Sequence, residues 1–136
     1  MPGSIGAKLA FPERKVLSIS GDAGFAMNLQ ELETAVRLKL NIVAMVWIDG
    51  EYGLIKWKQQ VGFNGRHSNL KFGNPDFRKL AEAYGMWGTE IKKPEELCPA
   101  LEAAFNQNGP ALVAVPVDYR ENMKLTERLG NVSVKM

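Results

Sequence analysis

The chain has 136 residues, 46% of them apolar and 24% charged, with a formal net charge of +2 and one cysteine. This is enough for one domain with a real core, in an ordinary globular balance. The small charge, with no basic run, argues against nucleic acid as the main partner; no apolar stretch approaches the about 18 residues that span a bilayer; the N-terminus lacks a charged-then-apolar signal pattern; and a lone Cys98 permits no internal disulfide, which points to a reducing cytoplasm.

Along the chain, residues 4–10 read as a short helix and residues 15–20 as a strand, with Val16, Leu17 and Ile19 apolar. Asn28 to Leu40 reads as a helix, because Leu29, Leu32, Val36 and Leu40 recur at helical intervals. Residues 42–48 are a continuous apolar run, the pattern of a strand covered on both faces. Tyr52 to Val61 follows as a helix, and residues 62–73, rich in Gly, Asn, Ser and charge, as a loop. Asn74-Pro75-Asp76 predicts a helix start, with Asn74 as cap, Pro75 at the first position and Asp76 near the positive end. Phe77, Leu80, Ala81 and Tyr84 form that helix's apolar face, and Gly85 stops it.

Residues 86–91 read as a strand. Pro94 opens another helix with Glu95 and Glu96 in its first turn, and Pro99 implies a kink or a delayed start. Leu97, Leu101, Ala104 and Phe105 face inward there, and Asn108-Gly109 ends it. Ala111 to Val117 is the last buried strand, and 119–136 a surface tail with a helical turn. Strands alternating with helices predict an α/β fold: a doubly wound, mostly parallel sheet with helices on both faces. No repeat, low-complexity tract or linker divides residues 1–136, which read as a single domain.

Two acids sit where chemistry is expected. Asp22 lies in Ser20-Gly21-Asp22-Ala23-Gly24-Phe25 after the first strand, and Asp49 follows the second. Ligands of open parallel sheets bind at the carboxyl ends of strands. Two hard oxygen donors there suit Mg²⁺ carrying a phosphate ester. Gly21, Ala23 and Gly24 leave the backbone bare before the next helix, whose free N–H groups can face a phosphate.

These residues resemble the motif of thiamine diphosphate enzymes, which is Gly-Asp-Gly, a long spacer, then Asn-Asn. Here the motif reads Gly21-Asp22-Ala23, the spacer Gly24 to Trp47, then Ile48-Asp49. Ala23 replaces the second Gly and Ile48 the first Asn, and neither change removes a ligand oxygen. The resemblance implies that Asp22, Asp49 and the carbonyl of Glu51 hold Mg²⁺. It implies that Gly21, Ala23, Gly24, Phe25, Tyr52, Gly53 and Leu54 contact thiamine diphosphate.

The helix from Met27 to Arg37, the segments beginning at Gly53 and Phe77, and Gly109 to Asn122 resemble acetolactate synthases, in order. Asp49, and Lys58 where the biosynthetic branch usually carries Trp, resemble the catabolic, flavin-free branch.

The resemblance covers nearly the whole chain, but only the last part of the last domain of such enzymes. It therefore implies a partial diphosphate- and Mg-binding domain with no catalytic residue of its own. The Glu that helps form the cofactor's carbanion belongs, in the family, to a ring-binding domain of another subunit. Glu31 and Glu33 lie at the wrong end for that role. The resemblance implies that the full-length enzyme converts two pyruvates to acetolactate and CO₂, and that this chain alone is inactive unless a ring-binding domain acts in trans.

Two other readings stand beside it. One is a non-enzymatic binding or interaction module derived from that domain, a homo-oligomer (dimer or larger) paired through a bare sheet edge. The other is the small subunit of a split enzyme.

Plainer readings compete at single residues. Asp22 alone would read as a helix cap. His67, the one histidine, reads as a solvated loop residue. Cys98 reads as a buried thiol, Phe25 and Met27 as core, and Arg120 and Arg128 as solvent-facing. Trp57 and Lys58 divide evenly between the substrate end of the pocket and a packed Trp beside a solvated Lys.

Overall fold

The computed structural model describes residues 1–122 and Lys124; the rest of the expected tail, Arg128 included, lies outside the described residues. The elements in chain order are α1 (Pro2–Ala10), β1 (Val16–Gly21), α2 (Asp22–Ala26), α3 (Glu31–Arg37), β2 (Ile42–Ile48), α4 (Gly53–Gly62), α5 (Phe77–Ala83), β3 (Trp87–Glu90), a 3₁₀ turn (Pro94–Glu96), α6 (Leu97–Phe105) and β4 (Ala111–Pro116). The four strands form one parallel sheet in the order β1-β2-β4-β3, the α/β architecture expected.

The topology decides which face each helix covers. β1 to β2 and β2 to β3 advance in one direction across the sheet, whereas β3 to β4 steps back. Crossovers of one hand then put the helices of forward steps on one face and that of the backward step on the other. Packing follows this rule. Phe25, Leu32, Phe77 and Ala81, from α2, α3 and α5, pack with Ala44, Val46, Leu112 and Ala114. Ile5 of α1 joins the same side through Ile42 and Ala35. On the opposite face α6 sets Leu97, Leu101 and Ala104 against Val43, Ala111 and Val113.

That single backward step does not reach β1. Leu17 and Ile19 lie in register with Val43 and Met45 on the α6 face, yet they are 37% and 53% exposed. Among the described residues the first strand is therefore covered on one side only.

The helices differ from expectation mainly at their ends. The helix expected over 28–40 is regular only from Glu31 to Arg37, because the preceding residues form tighter i→i+3 turns. Its end is a Schellman motif with Lys39 left-handed at φ 50, Lys39 N–H to Val36 O at 2.9 Å and Leu40 N–H to Ala35 O at 3.0 Å. Leu40 is thereby buried although it lies outside the helix. α5 ends in the same way at Gly85.

Gly88 is fixed by close approach: a Cβ there would meet the Ala81 Cβ at 2.5 Å, so α5 could not lie as near β3 with any larger residue. Pro94 starts only a 3₁₀ turn, and α6 begins after it with Pro99 in its first turn, the delayed start. Cys98 is exposed rather than buried. The inward stripe of α6 runs through Leu97, Leu101 and Ala104, and one residue past Leu97 the helix has turned about 100° away.

Candidate functional site

β1 and β2 end side by side, Gly21 opposite Trp47, and this register delivers Asp22 and Asp49 to one edge. β4 ends there too, its continuation held by Val117 N–H to Ile48 O at 2.9 Å. Gly21 is extended (φ −69°, ψ 158°) and caps α2, so Asp22 opens a helical turn instead of lying in a loop.

Asp22 is 2% exposed and surrounded by neutral donors. Its Oδ1 accepts the Ala23 N–H at 2.8 Å. Its Oδ2 accepts Gly50 N–H at 2.9 Å, Asp49 N–H at 3.2 Å and the Asn74 side-chain amide at 2.6 Å. Among the described residues no Lys or Arg forms an ion pair with it. Neutral donors satisfy the oxygens without cancelling the charge, and a buried uncompensated charge is costly. This carboxylate is suited to a cation, with one lone pair of Oδ1 still free.

Asp49 starts the turn that carries the other donors. Its Oδ1 accepts the Glu51 N–H at 3.3 Å, a side-chain turn that Gly50 permits with φ +68. Its carboxyl is raised above the ordinary range, chiefly by burial. The charges of Asp22 and Glu51 push the same way, against the Glu51 N–H bond and Lys56. The Glu51 carbonyl accepts Gly53 N–H at 3.0 Å and keeps a lone pair. The Glu51 side chain turns to Lys56 at 2.5 Å, and this bond lowers its carboxyl's pKa. Tyr119, beyond β4, is raised by burial and then by the fields of Asp49 and Asp22, so those two charges reach that rim of the site.

The candidate donors are two carboxylates and a carbonyl. Among the described residues no group of three or more His, Cys, Asp or Glu side chains is placed to hold a metal. Three protein oxygens fit Mg²⁺, which keeps waters and phosphate oxygens in the rest of its octahedron; they do not fit a soft metal. In front of Gly21 and Gly24 a Cβ would meet nothing within 4 Å, so the backbone there stays open to a ligand of phosphate size.

The other expected contacts divide. Ala23 and Gly24 sit in the first turn of α2. Phe25 lies in the core at 1% exposure, edge-on to Phe77 at 5.9 Å, so its ring makes no ligand contact. Gly53 places its Cα beside Asp49 Oδ2 (a Cβ would lie at 3.9 Å). Tyr52 lies tilted against Phe72, ring centroids 4.7 Å apart, and Leu54 is 65% exposed. Met27, read as core, is 73% exposed just past α2. Trp57 is half-buried and Lys58 exposed on α4, none of whose residues is buried.

The loop over 62–73 does more than the sequence suggested. Tyr52 N–H donates to Leu70 O at 2.9 Å and Phe72 N–H to Gly50 O at 3.1 Å, with Glu51 and Lys71 bridged antiparallel. The loop therefore clasps the turn that follows β2. A recess of about 250 Å³ between them is lined by Glu51, Lys56, His67 and Ser68, with His67 exposed as expected. A cavity of about 410 Å³, lined by Lys39, Gly85, Trp87 and Asn108 among others, lies at the opposite end of the sheet.

Asn74 was missed as a site residue because Asn-Pro-Asp offers two caps for one helix. Asp76 takes the cap, accepting Arg78 N–H at 3.1 Å and Lys79 N–H at 3.0 Å, which also lowers its pKa. An N-cap residue is itself extended and often precedes Pro, so nothing local distinguishes the two candidate caps.

Comparison with known proteins gives one consistent picture. The family described as "Thiamine pyrophosphate enzyme, C-terminal TPP binding domain" matches residues 1–115. The catabolic acetolactate synthase of Raoultella terrigena is 46% identical over 129 residues, covering 95% of this chain and 23% of that protein. An acetolactate synthase of Bacillus subtilis (strain 168) is 44% identical over 125 residues, covering 92% and 22%. Among solved structures, a Rhodococcus jostii RHA1 thiamine diphosphate-dependent 4-hydroxybenzoylformate decarboxylase superposes with a TM-score of 0.82 at 29% identity. It covers 89% of this chain and 23% of that one. The chain thus spans less than a quarter of the length of these relatives.

Proposed function

The chain belongs to the thiamine pyrophosphate enzymes through their C-terminal TPP binding domain, and from that premise we propose that it is the diphosphate- and Mg²⁺-anchoring part of an acetolactate-synthase-like enzyme. The observation that carries this reading is the Asp22 carboxylate, almost fully buried, held among the described residues only by neutral donors and beside Asp49. Asp22, Asp49 and the Glu51 carbonyl would hold the metal, and the open backbone at Gly21 to Gly24 would take the diphosphate. The bound cofactor supplies a carbanion at its thiazolium ring. This chain's residues orient the opposite end of that molecule and keep it fixed.

In the whole enzyme two pyruvates would give acetolactate and CO₂. A ring-binding domain, in the same longer protein or in trans, would supply the activating Glu, so this chain alone makes no acetolactate. Its single cysteine and the absence, among the described residues, of a helix long and apolar enough to cross a membrane support a cytoplasmic setting.

The test is calorimetric titration of thiamine diphosphate into the chain with Mg²⁺. Micromolar binding, lost in Asp22→Ala, is the expected result. No binding by a folded wild-type chain would sink the reading.

One observation favours a second reading, a self-associating module. β1 is an edge strand, and Leu17 and Ile19 are exposed beside that edge. Exposed apolar edges pair with other chains. Sedimentation should show a dimer or larger species that Ile19→Arg disperses; a monomeric wild type would remove this reading.

A further inference from the structure

Asn74 sits 52 residues from Asp22 in sequence, yet its side-chain amide makes the shortest of the four hydrogen bonds to that carboxylate, 2.6 Å against 2.8 to 3.2 Å. From this geometry we infer that Asn74 is a positioning residue of the metal site: it fixes the Asp22 carboxylate so that Oδ1 is the oxygen presented to the cation. The inference rests on the anchoring role proposed above and adds to it a residue outside the motif.

The distribution of donors states the mechanism. Oδ2 accepts three hydrogen bonds and Oδ1 only one, from its own neighbour Ala23. A carboxylate has about four lone-pair sites, so Oδ2 is saturated and Oδ1 is the oxygen with room for a metal. Two of the Oδ2 donors, Asp49 and Gly50 N–H, belong to the turn that itself carries a proposed ligand. Among the described residues, Asn74 is the one donor to Oδ2 that lies outside that turn.

Asn74 is well placed for this from both sides. Upstream, Leu70 and Phe72 are hydrogen-bonded to Tyr52 and Gly50, so the segment is paired with the turn that follows β2. Downstream, Asp76 caps α5 and Phe77 is seated on Phe25. Pro75 restricts Asn74 to extended backbone, and the cap held by Asp76 leaves its amide free for Asp22. The amide is also neutral. A Lys or Arg there would hold the carboxylate as firmly but compete with the cation for its charge; an amide orients it and leaves the charge to the metal. Partners of this kind, one shell out from the metal, are worth 10–100-fold in affinity in metalloproteins generally.

A positioning role makes a prediction that a purely structural one does not. Mg²⁺ demands near-ideal octahedral geometry, whereas Ca²⁺ accepts irregular oxygen sets. Loosening Oδ1 should therefore cost Mg²⁺ more than Ca²⁺. The experiment measures Mg²⁺ and Ca²⁺ affinities of the 136-residue chain by calorimetry with thiamine diphosphate present. It compares wild type, Asn74→Ala and Asn74→Leu, the last filling the same space without a donor, and records metal-free melting curves of each.

The expected result is about a 10-fold or greater loss of Mg²⁺ affinity in either folded variant, with a clearly smaller loss for Ca²⁺, so that the Mg²⁺/Ca²⁺ ratio falls. Equal losses for both ions, or an unchanged Mg²⁺ affinity, would overturn the role of Asn74 while leaving the anchoring site standing. A wild-type chain that binds neither ion would overturn the anchoring site itself and this inference with it.

Discussion

The two flanks of the turn that follows β2 are built in opposite ways. Upstream, Asp22 is nearly inaccessible, bonded to four donors, and followed three residues later by Phe25 in the centre of the core. Downstream, α4 leaves with no buried residue, and Leu54, Val61 and Phe63 are 65%, 66% and 55% exposed. Among the described residues, one flank is completed by the chain's own side chains and the other is not. The proposed anchoring site can thus be built within the chain, whereas nothing among the described residues buries α4.

The strongest way to break this contrast is through its packed side. Phe25→Ala removes a ring that is 1% exposed and edge-on to Phe77. The expected cost is about 3–5 kcal/mol, a large part of the stability of a small domain. Urea titration followed by circular dichroism should show a large fall in midpoint, because α2 and α5 no longer brace each other through the two rings. A change under about 1 kcal/mol would mean that the packed flank is looser than its burial implies.

Much of this was legible in the sequence, and the reason is physical. Strands β2 and β4 are apolar throughout because both faces are covered, so their limits could be read to within a residue. The two acids were legible because they end such strands. Long-range side-chain choices were not legible. Nothing local says that Asp76 takes the cap and sends Asn74 to Asp22, or that residues 70–72 pair back onto 50–52. Met27, Cys98, Leu17 and Ile19 misled for a related reason. Apolar type predicts burial only if some element arrives to cover it, and here the one backward crossover covers β4 and β2 but not β1.

A subtler test acts on the turn itself. The Asp49 carboxyl is raised above its ordinary value, first by burial. The metal-free fold therefore binds this proton more tightly than the unfolded chain does. The corresponding penalty is present above the folded pKa and relieved as pH falls through it. Without metal, Asp49→Asn should raise the melting temperature at neutral pH slightly, by about 1–2 °C, and flatten the pH dependence in the acidic carboxylate range. With Mg²⁺ and thiamine diphosphate the order should reverse, because binding stabilises only a chain that retains the ligand. Equal stabilisation of both proteins by Mg²⁺ would remove Asp49 from the ligand set.

The smallest expected effect is also the most telling about the open flank. Leu54→Ser and Val61→Ser change side chains that are about two-thirds exposed on a helix with nothing buried. Surface changes of this kind stay within about 0.5 kcal/mol, so melting and denaturant midpoints of the chain should hardly move. Binding of thiamine diphosphate with Mg²⁺ should also survive, since the proposed donors are the oxygens of Asp22, Asp49 and Glu51. What should change is association with a second body. Leu54, Trp57 and Val61 recur at helical spacing, a row suited to a partner surface. If α4 is where a ring-binding domain or another copy docks, mixing experiments should lose complex formation in these variants while the chain alone stays intact. A substantial loss of stability in the isolated chain would instead show α4 to be packed by the chain's own residues, and the contrast between the two flanks would fail.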